Sequence, residues 1–213
     1  MQNQQPSTLK EIRVHGTQNF PCAFYQTGTR IKGNMVKHHW HEEVELLYFS
    51  GGEFCLEVNM ERFHISEECF YFINPGELHS INVEKNGGCV ENAVVFHMDM
   101  LNSSYSLDQI QTNLIQPVQN GSIQFPRCLR KDELAFDQVR TAYEEIKSAF
   151  SGAPYQGDYY EGEAVTDDIT RQLFIKSALL RILAVLSANN LFEVTEKNHD
   201  RRIETIKTTL TYI

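Results

Sequence analysis

The run Gly33-Asn34-Met35-Val36-Lys37-His38-His39-Trp40-His41-Glu42-Glu43-Val44-Glu45-Leu46-Leu47-Tyr48-Phe49-Ser50-Gly51-Gly52 carries most of the chemistry in this chain. His39, His41 and Glu45 share one parity within it. A single strand through these positions, repeating every two residues, would project all three side chains from one face. Neutral imidazole and carboxylate are the ligands that borderline divalent metals prefer. A second stretch, Asn74-Pro75-Gly76-Glu77-Leu78-His79, places a further histidine just past a turn marked by Asn-Pro-Gly. If these segments face one another across a rolled sheet, His79 completes a set of three imidazoles and one carboxylate.

The surroundings of both stretches read as β-structure. Val44 to Phe49 is an apolar strand closed by Ser50-Gly51-Gly52, and Phe54, Leu56 and Val58 alternate on one face of the next. Cys69-Phe70-Tyr71-Phe72-Ile73 is a compact apolar strand, and another runs from Val90 to Phe96 after Lys85-Asn86-Gly87-Gly88. Many short strands at close intervals favour a sandwich or closed barrel, because closure removes exposed edges. His38 has the opposite parity and is expected to face outward, as is Trp40. His64 is expected to be structural and His97 to lie at the surface.

Helical periodicity follows an irregular stretch, 102–130, expected to hold at most one helical turn. Asp132 is the expected N-cap of a helix with the stripe Val139, Tyr143, Ile146 and Phe150. Residues 155–165 read as a loop, and Thr166 as the cap of a second helix reaching about Asn189. That helix is apolar over more than one face (Ile169, Leu173, Phe174, Leu179, Ile182, Leu183, Leu186) and should be covered on two sides. A third helix is expected from Asp200, with Ile203, Ile206, Leu210 and Ile213 in one stripe.

Composition narrows the field. With 213 residues, 41 % hydrophobic and 22 % charged, the chain can bury a core without staples. No stretch approaches the roughly 20 apolar residues of a membrane span, and residues 1–10 lack the apolar core of a secretory signal, so a cytoplasmic protein is expected. The net charge of −9, without a basic cluster, supplies no face for DNA phosphates. Five cysteines (Cys22, Cys55, Cys69, Cys89, Cys128), widely spaced and with no CxxC pair, read as isolated reduced thiols.

Gly33, His39, His41, Glu45 and Gly52 match the first motif of the cupin superfamily, G-x5-H-x-H-x3-E-x6-G, at every position. The second motif is partly kept: Gly76 and His79 hold the G-x2-H spacing, while Glu68, Asn74 and Val83 depart from it. The wider wording, His39 to Tyr48 and then Ile73 to His79, resembles the N-terminal sensor of the arabinose-operon regulator (AraC/XylS) family. The resemblance implies a mainly β fold: a cupin double-stranded β-helix followed by an α-helical hairpin. It implies an effector-binding barrel over 1–115, a dimerising hairpin over 116–195, and over 196–213 the first helix of a helix-turn-helix DNA-binding domain that continues beyond Ile213. DNA would be met only through that domain, and the homodimer would form through the helices.

His39, His41, Glu45 and His79 are thus the expected lining of an effector pocket, with Tyr71 and Phe24 as candidates to stack on a bound ring or sugar face. The same four are candidate ligands for a divalent metal (Zn, Ni, Mn or Fe), against the plainer reading of a metal-free, hydrogen-bonded polar cluster. Three functions compete. The first is a sensor of a small molecule, sugars included, in a transcription regulator that is no enzyme. The second is a metal-dependent cupin enzyme, a dioxygenase or sugar isomerase. The third is a ligand-free dimerisation scaffold. The N-terminal arm, 1–20, either covers the pocket or is disordered.

Overall fold

The computed structural model describes residues 9–105, 107–150 and 159–195. Eight strands open the fold: β1 Cys22–Thr29, β2 Gly33–His39, β3 Val44–Phe49, β4 Phe54–Val58, β5 Glu61–Ile65, β6 Cys69–Ile73, β7 His79–Val83 and β8 Cys89–Phe96. After a 3-10 turn, Met98–Leu101, comes a helical run over 109–119. Its centre, Gln111–Ile115, is π-wound, and it ends in α1, Gln116–Gln119. Then follow β9 Ile123–Gln124, β10 Cys128–Arg130, α2 Phe136–Ala149, β11 Tyr159–Ala164, α3 Ile169–Ala188 and β12 Glu193–Val194.

Two antiparallel sheets face each other, one in the order β10-β6-β3-β8-β1-β11 and the other β2-β7-β4-β5. Side chains fill the space between them in the manner of a cupin barrel. Ala23, Leu47, Phe49, Tyr71, Ile73, Ala93 and Val95 come from the larger sheet, and Met35, Phe54, Leu56, Val58, Ile81 and Val83 from the smaller. The large sheet is buried on both faces. Its alternate residues, Phe24, Leu46, Tyr48, Phe70, Phe72, Val94 and Phe96, point the other way and form a second core with α2 and α3. Strands covered on both sides read as continuous apolar runs, which is why Val44 to Phe49 and Cys69 to Ile73 carry so little polarity.

Several expectations need correction. His39 and Glu45 do not share a strand: β2 ends at His39, and the chain crosses into the opposite sheet before β3 begins at Val44. The segment expected as a loop after residue 155 contains β11, which pairs with β1 from Phe24↔Ala164 to Thr29↔Tyr159. The stretch 102–130 holds the 109–119 helix and β10, and β10 extends the large sheet beside β6. The barrel therefore takes two edge strands from chain expected to belong to the helical part. Asp132 caps nothing, since α2 begins four residues later with Ala135 at its N-cap and no side-chain bond there. Thr166 yields the capping role to Asp168, whose carboxylate accepts the Arg171 N–H at 2.9 Å. The Thr166 hydroxyl instead accepts the Asp168 N–H at 3.2 Å. Val139, Tyr143, Ile146 and Phe150 are all buried as expected. The helix expected from Asp200 lies outside the described residues.

The five thiols are free, but they are not all isolated. Cys69 and Cys128 lie on the same face of neighbouring strands, because Cys128 pairs with Tyr71 and Arg130 with Cys69. Cys69, with Tyr71 and Arg130, lowers the Cys128 pKa to about 7 against the opposing effect of burial.

Candidate functional site

The turn that delivers His79 is tight. Glu77 N–H donates to the Asn74 carbonyl at 3.1 Å, and Gly76 takes φ +80°, the left-handed conformation a type II turn requires after its proline. Two contacts hold it. Gly76 N–H donates to the His41 carbonyl at 2.7 Å, and Arg127 closes on both Glu77 carboxylate oxygens from the segment before β10. The departures from the second cupin motif therefore leave its turn intact.

His39 and His79 are register partners on β2 and β7, with ring centroids 4.3 Å apart. His41 hangs from the crossover, its ring 5.6 Å from that of His39 and 5.2 Å from that of His79. Glu45 faces inward from β3; its Oε2 lies 2.9 Å from His79 Nε2 and 3.4 Å from His41 Nε2. The four residues meet at one end of the barrel, although they come from both sheets and a connecting segment.

Hydrogen bonds fix the tautomers. His79 Nδ1 faces the Glu77 carbonyl at 2.9 Å, and His39 Nδ1 faces the Lys37 carbonyl at 2.8 Å. A carbonyl only accepts, so both rings carry a proton on Nδ1, and in the neutral ring Nε2 is a bare lone pair aimed inward. Burial, then the neighbouring His79, pushes His39 down to about 4, which keeps it neutral. Burial opposes ionisation of Glu45, yet His41 and His79 outweigh it and hold the carboxyl well below its ordinary range. For His79 burial acts against the proton and Glu45 prevails, raising it. Among the described residues, His41 Nδ1, His79 Nε2 and Glu45 Oε2 are buried without a hydrogen-bond partner.

The ligand atoms of His39, His41 and His79 lie within 4.8 Å of one another. Without a cation, the proton that His79 gains faces Glu45 across 2.9 Å; a divalent cation would replace it, with His39, His41 and His79 as imidazole ligands and Glu45 beside His41 and His79. The donor set fits such an ion.

An open cavity of about 940 Å³ is lined by His39, His41 and Glu45, with Tyr25, Thr27, Asn34, Met35, Glu91, Val95 and Glu161 among its other walls; His79, fully buried, is not on its surface. Its volume suits a small metabolite. Glu91 is fully buried there, and burial, reinforced by Glu45 and Glu161, raises its carboxyl well above the ordinary range. The shift favours the protonated carboxyl, the form that can donate as well as accept. Of the aromatic candidates, Phe24 points away from the cavity, stacked on Phe150 at 6.1 Å on the helical side. Tyr71 faces the barrel interior, where it meets Phe49 and Phe63, and does not line the cavity. His38 faces outward to Glu57 and Ser80, His64 pairs with Glu84 on the exposed side of the small sheet, and His97 caps the 3-10 turn at Asp99.

Of the two alternatives for the arm, its described residues cover the pocket, although sequence reasoning named none of its side chains. Residues 9–11 lie beside Trp40, with Glu11 N–H to the Trp40 carbonyl at 2.9 Å and Trp40 N–H to the Leu9 carbonyl at 3.0 Å. Residues 9–13 and His15 form one wall of the cavity. Gly16 then turns the chain back at φ +82°, so close that a Cβ would sit 2.5 Å from the Phe20 carbonyl oxygen; only glycine fits. The arm's Glu11 and His15 belong to no recognisable motif, and their place depends on this long-range docking. His15 before a glycine was the only available signal.

A barrel closed by two antiparallel sheets, with a polar mouth over an open cavity, defines a cupin-type ligand-binding domain. Residues 26–149 match the model of the AraC-like ligand binding domain, and the chain belongs to that family. It is 31 % identical over 83 residues to YdeC, an uncharacterised HTH-type transcriptional regulator of Bacillus subtilis; the match covers 38 % of this chain and 28 % of that protein. Similar solved structures include a predicted oxalate decarboxylase from Thermotoga maritima (25 % identity, 35 % of this chain and 64 % of that one, TM-score 0.33). A cupin 2 conserved barrel protein from Salinispora arenicola is another (19 % identity, 39 % and 70 %, TM-score 0.34). Among the described residues no helix is long and apolar enough to cross a membrane.

Proposed function

We propose that this chain is the effector-sensing and dimerising part of a cytoplasmic, non-enzymatic transcription regulator of the AraC type. The effector is a small, hydroxyl-bearing molecule of the sugar class, held in the mouth by His39, His41, Glu45 and His79. Those four residues would hold a divalent cation, whose charge would polarise a hydroxyl or carbonyl of the effector. DNA is contacted by a further domain of the full protein. The observation that carries the reading is the doubly buried sheet, with Glu45 on its cavity face and Leu46 and Tyr48 on the face that packs against helices. A ligand that prefers one strand arrangement shifts the helices with it.

The polar lining supports the ligand class: Glu45, Glu91, Thr27 and Asn34 offer hydrogen-bonding groups beside the apolar Ala93 and Val95. Thermal-shift assays with a panel of pentoses and hexoses, run with and without added Mn²⁺ or Zn²⁺, test it. A sugar that raises the melting temperature of the wild type but not of Glu45→Gln supports the reading; a panel without any shift overturns the ligand class.

Dimerisation rests on α3, which leaves Ile169, Leu173, Phe174 and Leu180 exposed while its other side is buried. Sedimentation should give a dimer for the wild type and a monomer for Leu173→Asp. The enzyme reading keeps one specific support, the bare imidazole nitrogens with room for substrate beside them. Turnover of a candidate substrate by metal-loaded protein would favour it over the sensor.

A further inference from the structure

We infer that the N-terminal arm is itself part of the metal site: Glu11 and His15 are ligands that, together with His41, fasten the arm across the barrel mouth when a divalent cation binds. The inference rests on the proposal that the mouth takes a metal, and extends it to residues outside the barrel.

Three observations carry it. First, the ligand atoms of Glu11, His15 and His41 lie within 4.8 Å of one another, a second triad that shares His41 with the one formed by His39, His41 and His79. Second, His15 is 4 % exposed, and its Nε2 is buried without a hydrogen-bond partner among the described residues. Third, its tautomer is set for ligation. The Tyr25 hydroxyl donates to Glu163 Oε1 at 2.8 Å, so its oxygen accepts from His15 Nδ1 at 2.8 Å, and Nε2 of the neutral ring faces the centre as a lone pair.

The spacing agrees with a coordination shell. Metal bonds of about 2.0–2.2 Å place neighbouring donors roughly 2.9–3.5 Å apart. Glu11 Oε2 lies 3.4 Å from His15 Nε2 and 3.4 Å from His39 Nε2. Glu45 Oε2 lies 2.9 Å from His79 Nε2 and 3.4 Å from His41 Nε2. Glu11 thus sits between His15 and His39, and Glu45 between His41 and His79, and the arm supplies two of these six groups. The alternative to a cation at His15 Nε2 is a proton, which would make its 3.4 Å contact with Glu11 an imidazolium–carboxylate pair.

The test uses the untagged chain, stripped with chelator, and Co²⁺ alone as probe. Co²⁺ affinity comes from the d–d absorption, and arm closure from the rate of trypsin cleavage after Lys10 and Arg13. Wild type should bind Co²⁺ and lose cleavage at both sites. The double variant Glu11→Gln/His15→Gln should bind about tenfold or more weakly and show no metal-dependent protection. Glu11→Gln alone, which keeps the His15–Tyr25 contact, should show an intermediate loss; circular dichroism of each variant verifies folding. Double-variant affinity and protection equal to wild type would overturn the inference, and if His79→Gln then still loses binding, the barrel site stands without the arm. Absence of Co²⁺ binding by wild type would remove the metal reading together with it.

Discussion

Arg127 holds both oxygens of the Glu77 carboxylate, and the carbonyl of the same Glu77 accepts the Nδ1–H of His79 at 2.9 Å. A residue 48 positions further along the chain (127 against 79) thereby orients an imidazole of the mouth through one intermediary.

Removing Arg127 would strand a buried carboxylate. Arg127→Ala should destabilise the protein by about 3 kcal/mol, the low end for a broken buried pair because Arg127 is partly open to water. At temperatures where the variant is folded, metal or effector affinity should fall about tenfold, as for the loss of an orienting contact. Denaturant unfolding and titration calorimetry measure the two effects, and unchanged affinity would detach His79 from this support.

Phe24 and Tyr25 are adjacent and separate the two faces of β1. Phe24→Ala should cost about 3–5 kcal/mol by emptying space between Phe150 and Tyr143, with no change of ligand affinity. Tyr25→Phe should cost only about 1 kcal/mol but weaken ligand binding, since its hydroxyl links His15 to Glu163. A reversal of these two effects in paired melting and binding assays would place the cavity on the wrong face of the sheet.

Glu68 fastens the barrel to the segment entering α2: Tyr48 donates to it at 2.6 Å, Lys131 at 2.7 Å, and Arg140 approaches to 3.5 Å. Lys131 first, then Tyr48, holds its carboxyl below the ordinary value. A lowered folded value means the contribution is complete above the unfolded pKa of roughly 4.3 and disappears as pH falls through the folded one. Glu68→Gln should therefore be less stable than wild type at pH 7 by about 1 kcal/mol or less, since its charged partners Lys131 and Arg140 are partly solvated. The gap should close in acid, which melting curves from pH 7 down to 3 would reveal.

Cys128, lowered to about 7 chiefly by the Cys69 thiol, should be the first cysteine alkylated by iodoacetamide near neutral pH. Cys22, fully buried and pushed up, should resist until unfolding. Peptide mapping after a short exposure separates them. Cys69→Ser should change the Cys128 rate, and equal labelling of all five would contradict the pairing.

The sequence made the strands and the His-His-Glu-His set legible because period-two alternation and motif spacing are local. Other features depended on long-range packing. Parity suggested one strand through His39, His41 and Glu45, whereas the chain changes sheets at Trp40 and the three still meet because a barrel curls the two sheets together. Phe24 was read as a cavity residue and Tyr25 passed over, a one-residue difference in register that reverses the face. β11 went unseen since Tyr159–Ala164 (Tyr-Tyr-Glu-Gly-Glu-Ala) has neither alternation nor apolar run, and only its pairing with β1 makes it a strand. Ala135 at the start of α2 shows packing overriding capping chemistry at a site where Asp132 offered a better local choice.

Glu45 and Leu46 are consecutive on β3, one in the mouth and the other under the helices, and Tyr48 on that same strand touches Tyr143 of α2 with ring centroids 4.8 Å apart. No solvent layer or flexible linker separates chemistry from packing along this strand. If the mouth takes a ligand as proposed, a pull on the carboxylate would reach the helices through this single strand, the way a lever's far end answers its handle.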